Sequence, residues 1–227
     1  MRDLVLKMSI SVDGFVAGAD GGISWVFGAD EAARAWTVET VWNASLHIMG
    51  SRTFHDMAAY WPTSIEVYAP PMNQIPKAVF SKQGPAILKA ANTTAALKDA
   101  RANAGPSQSA ERQPGAESWA EAYVASGDLA EEVAKLKAQE GKPIIAHGGA
   151  SFARSLVAQG LVDQLALIVA LVALCQGLPL FSDLAAPMPL KLVSSKAFPG
   201  GAMAQFIGRV SLPTYFKCPA SQSIQRW

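Results

Sequence analysis

A chain of 227 residues, half of them hydrophobic and 16% charged, has enough apolar side chain for one full α/β core and too little charge for a disordered segment. The formal net charge of +1, with no long basic run, excludes nucleic-acid binding driven by phosphate neutralisation. The two cysteines, Cys175 and Cys218, supply neither a disulfide framework nor a zinc pattern, and His47, His55 and His147 lack zincin spacing, so no metal is expected.

The N-terminal run, residues 1–7, is interrupted by Asp3 and Lys7 and does not read as a signal peptide. Residues 165–175 are the longest apolar run. They fall well short of the ~20 residues that span a bilayer as a helix. A buried central strand explains them better, and a soluble, cytoplasmic protein with no membrane partner is the expectation.

Residues 4–10 read as the first strand, with Val12-Asp13-Gly14 as the turn after it. Phe15-Val16-Ala17 is a second apolar piece. Gly18-Ala19-Asp20-Gly21-Gly22 has the composition of a flexible loop able to cover a ligand. Residues 30–44 read as a helix with Asp30 at its N-cap. Residues 46–49 form a short buried strand, and Gly50-Ser51-Arg52-Thr53 turns the chain into a helix that Trp61-Pro62 ends. Residues 77–80 are a strand ending at Ser81-Lys82, Ile87-Leu88 reads as one more, and residues 93–104 are helical. Residues 105–116 form a polar surface loop, and residues 119–124 read as a strand.

Asp128 opens a well-marked helix: with Glu131 it resembles a capping box, and Glu131 and Lys135 are spaced to pair. Gly141 ends that helix. Ile144-Ile145-Ala146 is a buried strand, Gly148-Gly149 breaks it, and Phe152, Leu156 and Val157 recur at helical spacing until Gly160 closes the segment. Residues 165–174 read as a central strand. Residues 190–197 and 202–210 form a hairpin around Pro199-Gly200-Gly201, and the tail is assigned no structure. One domain over residues 1–210 is therefore expected, followed by a tail at 211–227.

Short strands alternating with helices predict an α/β fold: three layers, α/β/α, with a mostly parallel central sheet and an antiparallel C-terminal edge. In such sheets ligands bind past the carboxyl ends of the strands. Gly50-Ser51-Arg52-Thr53, Ser81-Lys82 and His147-Gly148-Gly149-Ala150 all follow predicted strands. A strand–glycine–helix junction offers free backbone N–H groups and the positive end of a helix dipole, a cradle for phosphate.

The order and spacing of several pieces resemble the dihydrofolate reductase-like family over about residues 4–210. The nearer branch contains the reductase domain of the bifunctional riboflavin-biosynthesis deaminase–reductase and its stand-alone bacterial relatives. The pieces are residues 8–15 (Met-Ser-Ile-Ser-Val-Asp-Gly-Phe), 49–54 (Met-Gly-Ser-Arg-Thr-Phe), 147–150 (His-Gly-Gly-Ala), 160–163 (Gly-Leu-Val-Asp) and 177–181 (Gly-Leu-Pro-Leu-Phe). The resemblance implies an NADPH-dependent reductase that transfers hydride to a small heterocyclic or carbonyl substrate, pterin-like or ribosylamino-pyrimidine-like, and a homodimer. It implies that Gly50, Arg52 and Thr53, with Gly148, Gly149 and Ala150, hold the cofactor phosphates. Ser81 and Lys82 would lie near the adenosine ribose and its phosphate, and Ser9 and Val16 would flank the nicotinamide.

The chain also departs from the family. Ser51 stands where a basic residue usually follows the glycine, Gln164 replaces a glutamate, and the segment Leu171-Val172-Ala173-Leu174-Cys175-Gln176-Gly177 has lost a proline and a glycine. That altered segment motivates an alternative, a non-catalytic nucleotide- or flavin-binding protein of the same fold; a third reading is a fold kept for assembly alone. Hydride transfer draws its hard chemistry from the cofactor. Trp25 and Asp30 have the relation of the tryptophan and acid of dihydrofolate reductases, so Asp30 is the candidate catalytic acid, with an ordinary helix N-cap as the competing role. Asp13 either faces substrate or stabilises its turn. His147 reads either as a ligand-touching residue or as a neutral strand-end histidine.

Overall fold

The computed structural model describes residues 1–28, 30–89 and 94–210. Its framework is one eight-stranded sheet in the order β5-β4-β3-β6-β1-β7-β10-β9. The strands are β1 (Leu4–Ser11), β3 (Leu46–Gly50), β4 (Lys77–Phe80), β5 (Tyr123–Ala125), β6 (Ile144–His147), β7 (Gln164–Ala170), β9 (Leu190–Ala197) and β10 (Met203–Arg209). The strands from β5 through β7 pair in parallel, while β10 pairs antiparallel with β7 and with β9. This is the predicted three-layer arrangement with its antiparallel C-terminal edge. A separate two-stranded pair, β2 (Phe15–Ala17) with β8 (Leu178–Pro179), joins the turn after β1 to the segment after β7.

Side-chain alternation divides the core. One face of the sheet carries Leu4, Leu6, Leu46, Ile48, Ile144, Ala146, Leu165 and Leu167, packed with Val133 and Leu136 of helix α5 (Leu129–Ala138) and Ala153, Leu156 and Val157 of α6 (Ala150–Ala158). The opposite face carries Met49 and Val79 against Val41 of α1 (Glu31–Trp42), Phe54 of α2 (Ser51–Ala58) and Met72 of α3 (Ala69–Gln74). On that same face Val5, Ile145 and Ala166 pack against Trp36 of α1. A further helix, α4 (Ala95–Ala104), packs through Leu97 and Ala104 on Tyr60.

Local rules account for most boundaries. Asp30, Thr94 and Asp128 cap α1, α4 and α5 by accepting backbone N–H groups of the first turn. Gly160 closes α6 in a left-handed conformation, φ 67°; its N–H donates to Val157 O and that of Leu161 to Leu156 O, the two bonds of a Schellman motif.

Five expectations are corrected. Ile87-Leu88 lies in a 3₁₀ turn, Gly84–Lys89, because Gly84 at φ 60° starts a tight coil that drops Ile87 into the core. The strand read at 119–124 is only β5, with Trp119 ending a 3₁₀ turn whose indole donates to Asn73. The β7 strand stops at Ala170 and not at residue 174, because Leu171 is exposed and the chain turns back to meet the loop after β1. Helix α2 starts directly at Ser51 instead of after a turn through Thr53. On α5 the lysine pairs with Glu132 at 2.9 Å, not with Glu131. The expected start of α4 at Thr93 and the tail at 211–227 lie outside the described residues. Among the described residues no helix is long and apolar enough to cross a membrane.

Candidate functional site

Strands β3 and β6 are neighbours, yet α2 leaves β3 toward one face and α6 leaves β6 toward the other. That reversal is a topological switch point, where an open sheet leaves a crevice at its carboxyl rim. The ladders deepen it. Pairing of β6 with β3 ends at Ile48↔Ala146, and pairing with β1 ends at Lys7↔His147. Strand β1 continues beside β7 to Ser11↔Ala170, and β3 continues beside β4 to Gly50↔Phe80. Past His147 there is therefore a notch between β1 and β3, floored by Gly148 and Gly149.

The walls of the notch require glycine. A Cβ on Gly149, which sits at φ 79°, would lie 2.7 Å from Thr53 Oγ1; one on Gly50 would lie 3.0 Å from Phe152 Cβ, and one on Gly148 3.1 Å from Met8 Cε. The N-cap positions of α2 and α6 are Gly50 and Gly149, and neither end has a side-chain cap. Two adjacent helix N-termini thus present open N–H groups and positive dipole ends to one crevice. Arg52 is exposed on the first turn of α2, and among the described residues it has no hydrogen-bond or ion-pair partner. The structure therefore brings together Gly50, Thr53, Gly148, Gly149 and Ala150, with Arg52 at the mouth.

The other predicted residues are placed less simply. Ser81 follows β4, two strands from β6; its hydroxyl accepts from Gln83 N at 3.2 Å. Lys82 donates to the Gly127 carbonyl at 2.8 Å, which ties the end of β4 to the approach to α5. Ser9 lies on β1 beyond the last β6 pair, partly exposed. Val16 is buried in the main core, which leaves its backbone, not its side chain, for any contact. Trp25 lies in a short 3₁₀ turn before α1, with its Nε1 buried and unpartnered among the described residues.

The two candidate acids are engaged. Asp30 accepts from Ala33 N at 2.8 Å and from Gly200 N at 2.5 Å, so it caps α1 and ties that helix to the β9–β10 turn. Those N–H donors hold its carboxyl below the usual range, Ala33 foremost. The geometry makes Asp30 a cap and a tie. Asp13 accepts from Ser11 Oγ at 2.6 Å, Leu174 N at 3.1 Å and Cys175 N at 2.8 Å. The Ser11 bond leads the causes that hold its pKa down. Asp13 therefore clasps the altered 171–177 segment, in which Cys175 adopts φ 61°, to the turn after β1.

Lys7, and its grouping with His47 and His147, was missed from the sequence. Lys7, His147 and His47 project toward the α1 face, Lys7 and His147 as direct lateral partners. The two imidazoles meet edge to face at 4.5 Å. Both are buried, and desolvation is the main force lowering their pKa, His47 to about 3 and His147 well below its ordinary value. His47 approaches the Val41 carbonyl without reaching hydrogen-bonding geometry. Burial also pushes the Lys7 amine down to about 8, although the residue remains partly open to solvent. The signal was present: a lysine inside Leu4-Val5-Leu6-Lys7-Met8 breaks a run that a central parallel strand keeps apolar on both faces.

A mostly parallel sheet split at this point, with an antiparallel carboxyl edge, is the dihydrofolate reductase-like architecture. Within it the chain belongs to the RibD C-terminal domain family, which matches residues 2–204. It is 25% identical over 205 residues to the uncharacterized protein YyaP of Bacillus subtilis (strain 168), covering 89% of this chain and 92% of that one. A putative riboflavin biosynthesis protein from Shewanella superposes with a TM-score of 0.59 at 17% identity, over 92% of this chain and all of the other. Acinetobacter baumannii RibD superposes at 0.60 and 18% identity, over 93% of this chain and 59% of its own. The Thermotoga maritima diaminohydroxyphosphoribosylaminopyrimidine deaminase/uracil reductase superposes at 0.61 and 13% identity, over 92% of this chain and 57% of its own. At these identities the structural likenesses establish the fold alone.

Proposed function

We propose that the notch between β1 and β3 binds NADPH and that the protein is an NADPH-dependent reductase of a small heterocyclic or carbonyl substrate. The observation that carries this reading is the pair of uncapped helix N-termini meeting across Gly149, a position where a Cβ would collide with Thr53. The glycine floor and the free N–H groups fit a diphosphate. Gly50, Thr53, Gly148, Gly149 and Ala150 would hold it, with Arg52 as counter-charge. When bound, the cofactor would supply a hydride. The residues then have to orient the substrate over the Ser9 and Lys7 end of β1 and deliver one proton to the atom that gains electron density. The Lys7 ammonium, with its pKa near 8, is the group placed to do so.

NADPH titration followed by tryptophan fluorescence tests the reading. Saturable binding to the wild-type protein and its loss in Gly149→Val support it; equal affinity in the two proteins refutes the cradle. The altered 171–177 segment favours a second reading, a nucleotide-binding protein without turnover. NADPH consumption across a panel of carbonyl and heterocyclic compounds separates the two. The reductase reading also includes a cytoplasmic homodimer. Edge strand β9 is exposed along its length, with Leu192 and Val193 more than half exposed, and is the surface offered to a second copy. Light scattering that returns the single-chain mass of 23.9 kDa would exclude the dimer.

A further inference from the structure

The amino ends of the strands carry a second hollow, on the rim opposite the notch. Strands β3, β4 and β5 lie side by side and begin at Leu46, Lys77 and Tyr123. All three first residues line one cavity of about 540 Å³. That volume suits a small molecule. Its wall combines the apolar Leu46, Pro76 and Leu136 with Tyr123, which is half exposed and offers an aromatic face.

Lys77 is the unusual member of that wall. It is buried, and its Nζ donates to the Asn73 carbonyl at 2.8 Å and to Ser118 Oγ at 2.5 Å. Ser118 gives its own proton to the Asn73 or the Gly115 carbonyl, so its oxygen is left to accept. Two acceptors match the two N–H bonds of a neutral amine. The third N–H of an ammonium meets only the Trp119 ring, 4.7 Å from Nζ to the centroid. Among the described residues no carboxylate lies within ion-pairing distance of this amine. Its lateral neighbour on β3, His47, is neutral. Burial draws the Lys77 pKa down to about 7 against the opposing charge of Glu117, so about half of the amine is neutral at pH 7. A neutral amine on a cavity wall is a nucleophile toward carbonyl carbon.

The charges around the cavity select among carbonyl compounds. Lys135 is held by Glu132 at 2.9 Å, whereas Glu117 and Glu121 in the same wall have no ion-pair partner among the described residues. An anionic ligand would meet two uncompensated carboxylates. We infer that this cavity is a second ligand site, in which Lys77 captures an uncharged or cationic aromatic aldehyde as an imine. The amine nitrogen bonds to the aldehyde carbon as the carbonyl π pair moves to oxygen. A proton passes from nitrogen to that oxygen, and hydroxide and the last N–H proton then leave as water to give C=N. Protonated, the imine keeps one N–H for Asn73 or Ser118, and Glu117 offsets its charge.

The test treats the whole protein with limiting benzaldehyde and cyanoborohydride, which fixes the imine as a stable benzylamine, and maps the label by peptide mass spectrometry. Lys77 is expected to carry more label than the exposed Lys135. The anionic para-carboxybenzaldehyde should label Lys77 about fivefold less, the effect of one like charge close by in water, and the gap should narrow in the double variant Glu117→Gln, Glu121→Gln. Absence of label at Lys77, label confined to exposed lysines, or equal labelling of Lys77 by the two aldehydes overturns the inference. The label is located in the wild-type protein, so the outcome does not depend on a Lys77 variant that folds.

Discussion

Removing the Lys7 charge should make the protein more stable while weakening its site. The amine falls from 10.5 to about 8 through desolvation, which corresponds to a cost of about 3 kcal/mol at most. The residue is partly open to water, so about 1–2 kcal/mol is the expected remainder. Lys7→Met keeps the apolar stem, fills similar volume and removes the charge. For a domain of this size the gain corresponds to a Tm rise of about 2–8 °C at pH 7. The sign of the pH dependence follows from linkage. Below pH 8 the amine is protonated in both folded and unfolded chains, so the whole penalty falls on the native state. Between about pH 8 and 10.5 the folded form loses its proton first, and the wild type recovers stability relative to the variant. The groups facing Lys7 from the sheet, His147 and His47, are neutral throughout this window, and Lys77 on β4 lies beside His47 in the row of Ile145 and Val5, its amine lowered by burial to about 7. The assay is thermal unfolding of both proteins from pH 7 to pH 10. A variant that melts below wild type at pH 7, or a Tm gap that stays constant across the range, would refute the assignment of a desolvated, unpaired lysine.

Other outcomes follow from single contacts. Asp30→Asn should lower Tm by a few degrees through the weakened tie to Ala33 N and Gly200 N, with turnover per folded molecule within twofold of wild type; a hundredfold loss of kcat at unchanged Tm would restore Asp30 as the catalytic acid. Arg52→Ala should raise the Kd for NADPH by about tenfold at low salt and flatten its salt dependence, because Arg52 is exposed and unpartnered among the described residues. Unchanged affinity would place the phosphates elsewhere. Gly177→Ala should cost about 2–3 kcal/mol in denaturant unfolding, since a Cβ there meets the Ala17 carbonyl oxygen, which is backbone and has little room to yield. A neutral result would show that the segment clasped by Asp13 yields at little cost.

What could be read from the sequence, and what could not, divides by the range of the interaction. Caps at Asp30 and Asp128 and the glycine closing α6 are local, and residue type within a few positions determines them. Strands β1, β3, β4 and β6 were legible because buried parallel strands are short apolar runs between turn signals. The end of β7 was not. Residues 171–174 are as apolar as the strand before them, and what stops pairing is a clasp from Asp13, more than 150 positions away in the chain. Helix α3 escaped for a different reason. It is short, carries prolines in its first turn and shows no usable periodicity.

The site divides along the same line, and the division bears on function. Glycines and uncapped helix starts can be identified one segment at a time, so the cradle at Gly50 and Gly149 could be proposed from the chain order alone. His47 and His147 each allow a strand-end reading, and Lys7, although it interrupts an apolar strand, does not by itself say what it meets. Only the order β3-β6-β1 lines them up on one face, and Asp13, Asp20 and Asp30, the acids of the connection from β1 to α1, are each engaged by backbone amides. Asp30, the acid expected to carry the chemistry, is engaged as a cap and as a tie between α1 and the β9–β10 turn, so Asp30→Asn is the variant that separates the two roles.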